Sequence, residues 1–180
     1  MSNTPPINAL APHLTALLPK LWRFALRLAR HHEDAQDLVQ RTCVRALERQ
    51  HQWRPDTHPL SWLYAILHSI WLNELASRRL RRVDSLSRGD DEEDIAVPDP
   101  AASDPEASLL YRQVVLAVDT LPEAQRVVML LVAVEGLSYR EASDVLGVPI
   151  GTVMSRLSRA RLCIGERFAH PATQEKKRVA

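Results

Sequence analysis

Four arginines, Arg156, Arg159, Arg161 and Arg167, follow a tight turn at Gly147-Val148-Pro149 in the stretch "LSYREASDVLGVPIGTVMSRLSRAR" and just beyond it. A guanidinium group carries a fork of N–H donors that matches guanine O6 and N7, or a phosphate. Thr152 and Ser155 add hydroxyls that can reach phosphates or base edges. These residue types, spaced along one helix behind a turn, suit the reading of a DNA major groove.

The elements that position them follow from local rules. Ser138 and Glu141 have capping-box spacing and start a short helix. Gly147 permits the turn, and Pro149 suits the first position of a second helix. There Ile150, Val153, Leu157, Ala160 and Ile164 recur at three and four and form a packing face. Thr152, Ser155, Arg156 and Arg159 share the opposite face. The pattern reads as a helix-turn-helix with a basic outer face. An ordinary helical hairpin with a solvated arginine face fits the same pattern.

The rest of the chain is read as all-helical. Of 180 residues, only 5 are glycine and 5% are aromatic, while 46% are apolar, enough to fill cores. The net charge of +1 conceals a separation along the chain. Residues 1–83 hold 12 Lys/Arg against 6 Asp/Glu, residues 84–108 hold 1 against 9, and residues 109–180 hold 10 against 7. Two basic lobes therefore flank an acidic segment that lacks aromatics and reads as a flexible linker.

In the first lobe a helix is expected from about Pro12 to Arg30, with Leu14, Leu17, Leu18, Leu21, Phe24, Ala25 and Leu28 inward. A second is expected with Ala35, Leu38, Val39, Thr42, Ala46 and Leu47 as its buried stripe. Residues 51–59 form a loop, and "LSWLYAILHSIWLNELASRRLRR" forms a third helix with a basic end. In the second lobe, Pro122 ends one helix and starts another that stops at Gly136. Trp22 and Trp62 are assigned to the core, while Trp53 and Trp71 suit either a core or a base-stacking place. The tail 169–180 is basic and expected to be mobile.

Other chemistries find little footing. There is no glycine-rich phosphate loop and no nucleophile–base set, so the chain is not expected to be an enzyme. Cys43 and Cys163 lie far apart in helical patterns, and His31 and His32 read as a solvated pair, so no disulfide, metal or cofactor is expected. The N-terminus lacks the charge and apolar run of a signal peptide, and the longest apolar run, Val127–Val134, is too short to span a bilayer. A cytoplasmic location is expected.

The stretch "LPEAQRVVMLLVAVEGLSYREASDVLGVPIGTVMSRLSRAR" resembles region four of a bacterial sigma factor of the sigma-70 family. "DAQDLVQRTCVRAL" and "SWLYAILHSIWLNELASRRLRR" resemble region two, and the order and length fit the extracytoplasmic-function (ECF) group. The likeness covers about residues 12–83 and 109–167. It implies region two at 1–83, a linker at 84–108, region four at 109–168 and a tail at 169–180.

The likeness implies a factor that binds RNA polymerase core, recognises −35 and −10 promoter elements and promotes melting. The −35 element falls to Arg140, Thr152, Ser155, Arg156 and Arg159. Core binding falls to Asp37, Gln40 and Arg41. An extruded −10 base falls to the loop Trp53–Leu60, with Arg54, Asp56 and Thr57 at its edge. Asn73, Arg78, Arg79, Arg81 and Arg82 fall to nearby DNA. The implied partners are polymerase core, promoter DNA and an inhibitory anti-sigma factor, and the acidic linker is implied to mimic nucleic acid in a basic channel. Arg41 stands where many relatives carry Glu, Ser69 where Asn is common, and Asn73 where an acid is common. The competing reading is a helix-turn-helix regulator that binds DNA by itself.

Overall fold

The computed structural model describes residues 10–54, 57–84 and 113–169. The linker from residue 85 on, the tail from residue 170 on, Asp56 and the Arg82 side chain lie outside the described residues. All described elements are helices or helical turns. The chain divides into two compact units, residues 1–97 and 98–180, save that residues 144–147 group with the first.

The first unit holds α1 (Ala11–Ala29), α2 (His32–Glu48) and α3 (Pro59–Asp84). Each packs against the other two. Leu21, Phe24, Leu28, Ala35, Ala46, Leu63, Tyr64 and Leu67 are fully buried. Phe24 and Tyr64 form the aromatic centre, with ring centroids 4.6 Å apart and planes inclined by 47°. Thr42 is also buried, and its hydroxyl donates to the Leu38 carbonyl at 2.7 Å, so no polar atom is stranded there. Pro19 lies inside α1 and supplies no amide hydrogen, but it is exposed, where water can serve the carbonyl one turn back. α1 ends at Arg30, whose φ of 63° is left-handed, and the Arg30 amide donates to the Leu26 carbonyl at 2.9 Å. The chain thus reverses into α2 through Arg30 and His31 alone.

Four sequence expectations are corrected here. Leu18, expected inward, is exposed at the edge of the α1 stripe. Leu47 is exposed rather than part of the α2 stripe, because it sits about 100° around the helix from Ala46. Trp22 and Trp62 are only half-buried. Trp22 flanks the α1 stripe and meets the exposed His32 edge-on at 4.9 Å. The buried tryptophans are instead Trp53 and Trp71.

The second unit holds α4 (113–119), α5 (Glu123–Met129), α6 (Tyr139–Leu146) and α7 (Ile150–Ala169). Pro122 is the N-cap of α5. The helix continues beyond Met129 as a wider π turn, Leu130–Val134, in which the Glu135 amide donates to the Leu130 carbonyl at 2.9 Å. Gly136, at φ 74°, then stops it. α5 packs on α7, and Val127, Val128, Leu130, Leu131, Val153, Leu157 and Ala160 are buried. The buried Arg126 pairs with Glu123 of its own helix. Near the far end of α7, Arg167 donates to the Thr120 hydroxyl at 2.5 Å, and that hydroxyl donates to the Ala117 carbonyl at 2.8 Å. Both thiols are free, and burial pushes the Cys43 thiol above its ordinary value. No helix among the described residues is long and apolar enough to cross a membrane.

Candidate nucleic-acid interface

The helix-turn-helix is closed at both of its joints. At its start the Glu141 carboxylate accepts from the Ser138 amide at 2.8 Å and from the Ser138 hydroxyl at 2.7 Å. The Glu141 amide donates to the Ser138 hydroxyl oxygen at 3.2 Å, which completes the reciprocal box. At the turn, Gly147 takes φ 64°, a conformation that costs a side-chain-bearing residue. The Val148 amide donates to the Ser143 carbonyl at 3.2 Å, and the Ser143 hydroxyl donates to the Val148 carbonyl at 2.6 Å. Pro149 then opens α7, and its carbonyl accepts from the Thr152 amide at 2.8 Å. Ser138→Ala removes one half of the box and is expected to lower the stability of this unit by about 1 kcal/mol. A denaturant titration followed by circular dichroism checks it, and a change within about 0.3 kcal/mol of zero contradicts it.

Outside the buried Val153, Leu157 and Ala160, α7 carries the polar set, but Arg156, three residues from Val153, flanks that stripe rather than lying opposite it. Ser155 and Arg159 are exposed, Thr152 and Arg156 half-buried, and Arg140 on α6 is exposed. The Ser155 hydroxyl donates to the Thr152 carbonyl at 3.0 Å, so in this conformation it meets a ligand only as an acceptor. Ile150, placed on the packing face by its spacing, is 47% exposed, because it stands in the first turn at the edge of the stripe.

In the first unit, the loop after α2 is held from beneath. The buried Trp53 indole donates to the Thr57 carbonyl at 3.2 Å, and His13 meets its ring edge-on at 5.9 Å. The Thr57 hydroxyl donates to the Arg54 carbonyl at 2.8 Å. Arg54 and Thr57 are exposed, and Trp53 serves as an anchor rather than a stacking surface.

α2 and α3 are joined by charges that spacing alone does not show. Asp37, Gln40 and Arg41 are exposed along α2. Arg41 pairs with Asp37 at 3.1 Å and with Glu74 of α3 at 3.6 Å. Glu74 also accepts from Arg78 and Arg81, each at 3.0 Å. Arg78 reaches back to Asp34 of α2 at 2.7 Å and lies 5.7 Å above the Trp71 ring. The hydrogen bond from Arg78 is the main cause that holds Glu74 below the usual carboxylate range. The bond to Asp34 is the main cause that raises Arg78. Asn73 and Arg79 are exposed on the same helix. Asp34 and Glu74 are therefore site residues that the sequence reading missed. The i, i+4 spacing of Glu74 and Arg78 was a signal for half of the cluster.

Two family models match the chain. The Sigma-70 region 2 model matches residues 14–81, and the Sigma-70, region 4 model matches residues 111–164. The chain is 31% identical over 159 residues to the ECF RNA polymerase sigma factor EcfG of Rhodopseudomonas palustris, spanning 87% of this chain and 83% of that protein. It is 32% identical over 164 residues to the RNA polymerase sigma-H factor of Pseudomonas aeruginosa, with coverage of 87% and 83%. Among solved structures, the sigma factor RpoE of Bartonella quintana, crystallised with the anti-sigma factor NepR, superposes with a TM-score of 0.77 at 28% identity. That match covers 90% of this chain and 98% of the other. With relatives this similar over nearly their full length, the chain belongs to the ECF RNA polymerase sigma factors.

Proposed function

We propose that this sigma factor divides promoter recognition between its two units. Residues 1–83 bind polymerase core and the −10 element, 109–168 bind the −35 element, and the acidic segment 84–108 tethers them. The observation that carries the −35 assignment is α7, packed through Val153, Leu157 and Ala160, with Arg159 exposed and Arg156 half-buried at the flank of that stripe, behind the Gly147 turn. Arg156 and Arg159 read base edges, Thr152 and Ser155 support them, and Arg140 holds a phosphate. Asp37, Gln40 and Arg41 face the polymerase. Arg54, Thr57 and Asp56 meet the −10 base in its loop, and Asn73 with Arg78, Arg79, Arg81 and Arg82 lies along the adjoining DNA. Action on DNA and polymerase places the protein in the cytoplasm.

An anti-sigma factor is proposed as a further partner; the support is that the similar RpoE was crystallised with one. A DNA-binding regulator acting alone is not favoured, because the first unit matches region 2 over 14–81.

The test mixes the purified chain with core polymerase. Co-migration with core and promoter-specific transcription are expected, with weak binding to duplex DNA when core is absent. With about 6–10 phosphate contacts in the assembled complex, promoter affinity is expected to fall about 10³–10⁵-fold between about 50 and 200 mM salt. Tight duplex binding without core, and no transcription with it, contradicts the reading.

A further inference from the structure

The basic end of α3 is less available to DNA than its sequence suggests. Arg78 and Arg81 both donate to one carboxylate oxygen of Glu74, Oε1, at 3.0 Å. The other oxygen, Oε2, lies 3.6 Å from Arg41. Asp34 takes the remaining side of Arg78 at 2.7 Å, and Asp37 holds Arg41 at 3.1 Å. Asp34, Asp37 and Glu74 thus face Arg41, Arg78 and Arg81, three acids against three bases. The described ion pairs balance charge at the most basic part of the first unit.

A carboxylate that receives two guanidinium groups on one oxygen presents what a phosphate oxygen would present. We propose that Glu74 acts as an internal stand-in for a DNA phosphate: it occupies Arg78 and Arg81 and restrains DNA binding by the first unit. The proposal rests on the assignment of Arg78 and Arg81 to DNA under the proposed function. DNA must displace Glu74 from both arginines, and Asp34 from Arg78, before those guanidinium groups reach phosphate. Each such pair is worth little alone at a partly exposed site. Glu74 is the most shielded carboxylate of the cluster, with its side chain 25% exposed, and it engages three cations at once. Its lowered proton affinity is the counterpart of that engagement.

A plain structural role, a strap between α2 and α3, predicts something different. Loss of Glu74 would then lower the melting temperature and leave DNA binding with the small gain that any lost negative charge brings. The two roles separate in the salt dependence. A freed guanidinium adds a phosphate contact and steepens the slope of log affinity against log salt by about 0.7 for single-stranded DNA. A general change in charge adds none.

The experiment titrates the full chain, without polymerase, into a short fluorescein-labelled single-stranded DNA of mixed sequence at several salt concentrations. Glu74→Gln keeps the shape and removes the charge. It is expected to tighten binding roughly 3- to 10-fold at low salt and to steepen the slope by about 0.7, for Arg81, because Asp34 still holds Arg78. Asp34→Asn alone leaves Arg78 on Glu74 and the slope unchanged, whereas Asp34→Asn combined with Glu74→Gln releases Arg78 as well and is expected to steepen it by about 1.4 in all. Should the glutamine variant fold poorly, Glu74→Asp, which keeps the charge and draws the carboxylate back by one methylene, carries the test with the same expected slope. Glu33→Gln removes the same charge from an exposed position next to Asp34 and is expected to leave the slope unchanged. Slopes for Glu74→Gln and for the Glu74→Gln, Asp34→Asn double variant that match the Glu33→Gln slope overturn the proposal. Promoter-specific transcription by the unaltered chain with core is measured beside it. Its failure overturns the promoter-recognition reading, whereas success with unaltered slopes overturns the Glu74 proposal alone.

Discussion

Replacing Arg156 and Arg159 together by alanine is expected to cut initiation from a −35-bearing promoter by roughly 30- to 10⁴-fold. A forked arginine contact to guanine discriminates by about 1–3 kcal/mol, so two lose about 2–6 kcal/mol where both read bases. The fold should survive, because Arg159 is exposed and the half-buried Arg156 flanks, and is not part of, the buried stripe of Val153, Leu157 and Ala160. Binding to core should also survive, since Asp37, Gln40 and Arg41 lie on α2 in the other unit. Lysine at both positions should restore little, because an ammonium group lacks the planar fork. Run-off transcription, with a core pull-down as the control, measures the effect. Promoter activity that stays within about 2-fold of the unaltered chain removes these arginines from the readout.

Phe24→Ala is expected to carry the largest cost to stability, about 3–5 kcal/mol. Phe24 is fully buried and its ring meets Tyr64 at 4.6 Å. Truncation removes that contact and leaves a void between α1 and α3, which pack together. Domains of this size have only about 5–15 kcal/mol in hand. The molecule provides its own probe, because all four tryptophans, Trp22, Trp53, Trp62 and Trp71, belong to the first unit. Tryptophan fluorescence in a guanidinium titration therefore follows that unit. Phe24→Leu, which keeps most of the volume, should cost less than about 1.5 kcal/mol. A loss below about 1 kcal/mol for the alanine variant places the core elsewhere.

What the sequence made legible was local. The Ser138–Glu141 box, the Gly147 turn and, apart from Ile150, the stripe of α7 depend on neighbours three or four residues apart and stand where their spacing put them. What it concealed depends on meetings between helices. Asp34 and Arg78 are 44 positions apart and join only because α2 and α3 pack with one relative register. Trp22 and Trp71 are chemically equal, and only the position of each around its helix decides that the second is buried. The π turn at Leu130–Val134 has no mark of its own, since its residues continue the apolar run of α5. The roles of Arg78 and Arg81 read as a basic helix end because one-dimensional charge counts omit the acids brought in from α2.

The left-handed Arg30 sets a limit on how this chain can vary in length. With two residues between α1 and α2, there is no slack to absorb an indel. One extra residue that extended α2 at its start would turn everything after it by about 100°. Leu38, Val39 and Ala46 would swing toward water, and Asp34 and Arg41 would lose phase with α3. Length changes in descendants of this gene should therefore collect after α3, and tags or fusions spliced between Ala29 and His32 should abolish the first unit.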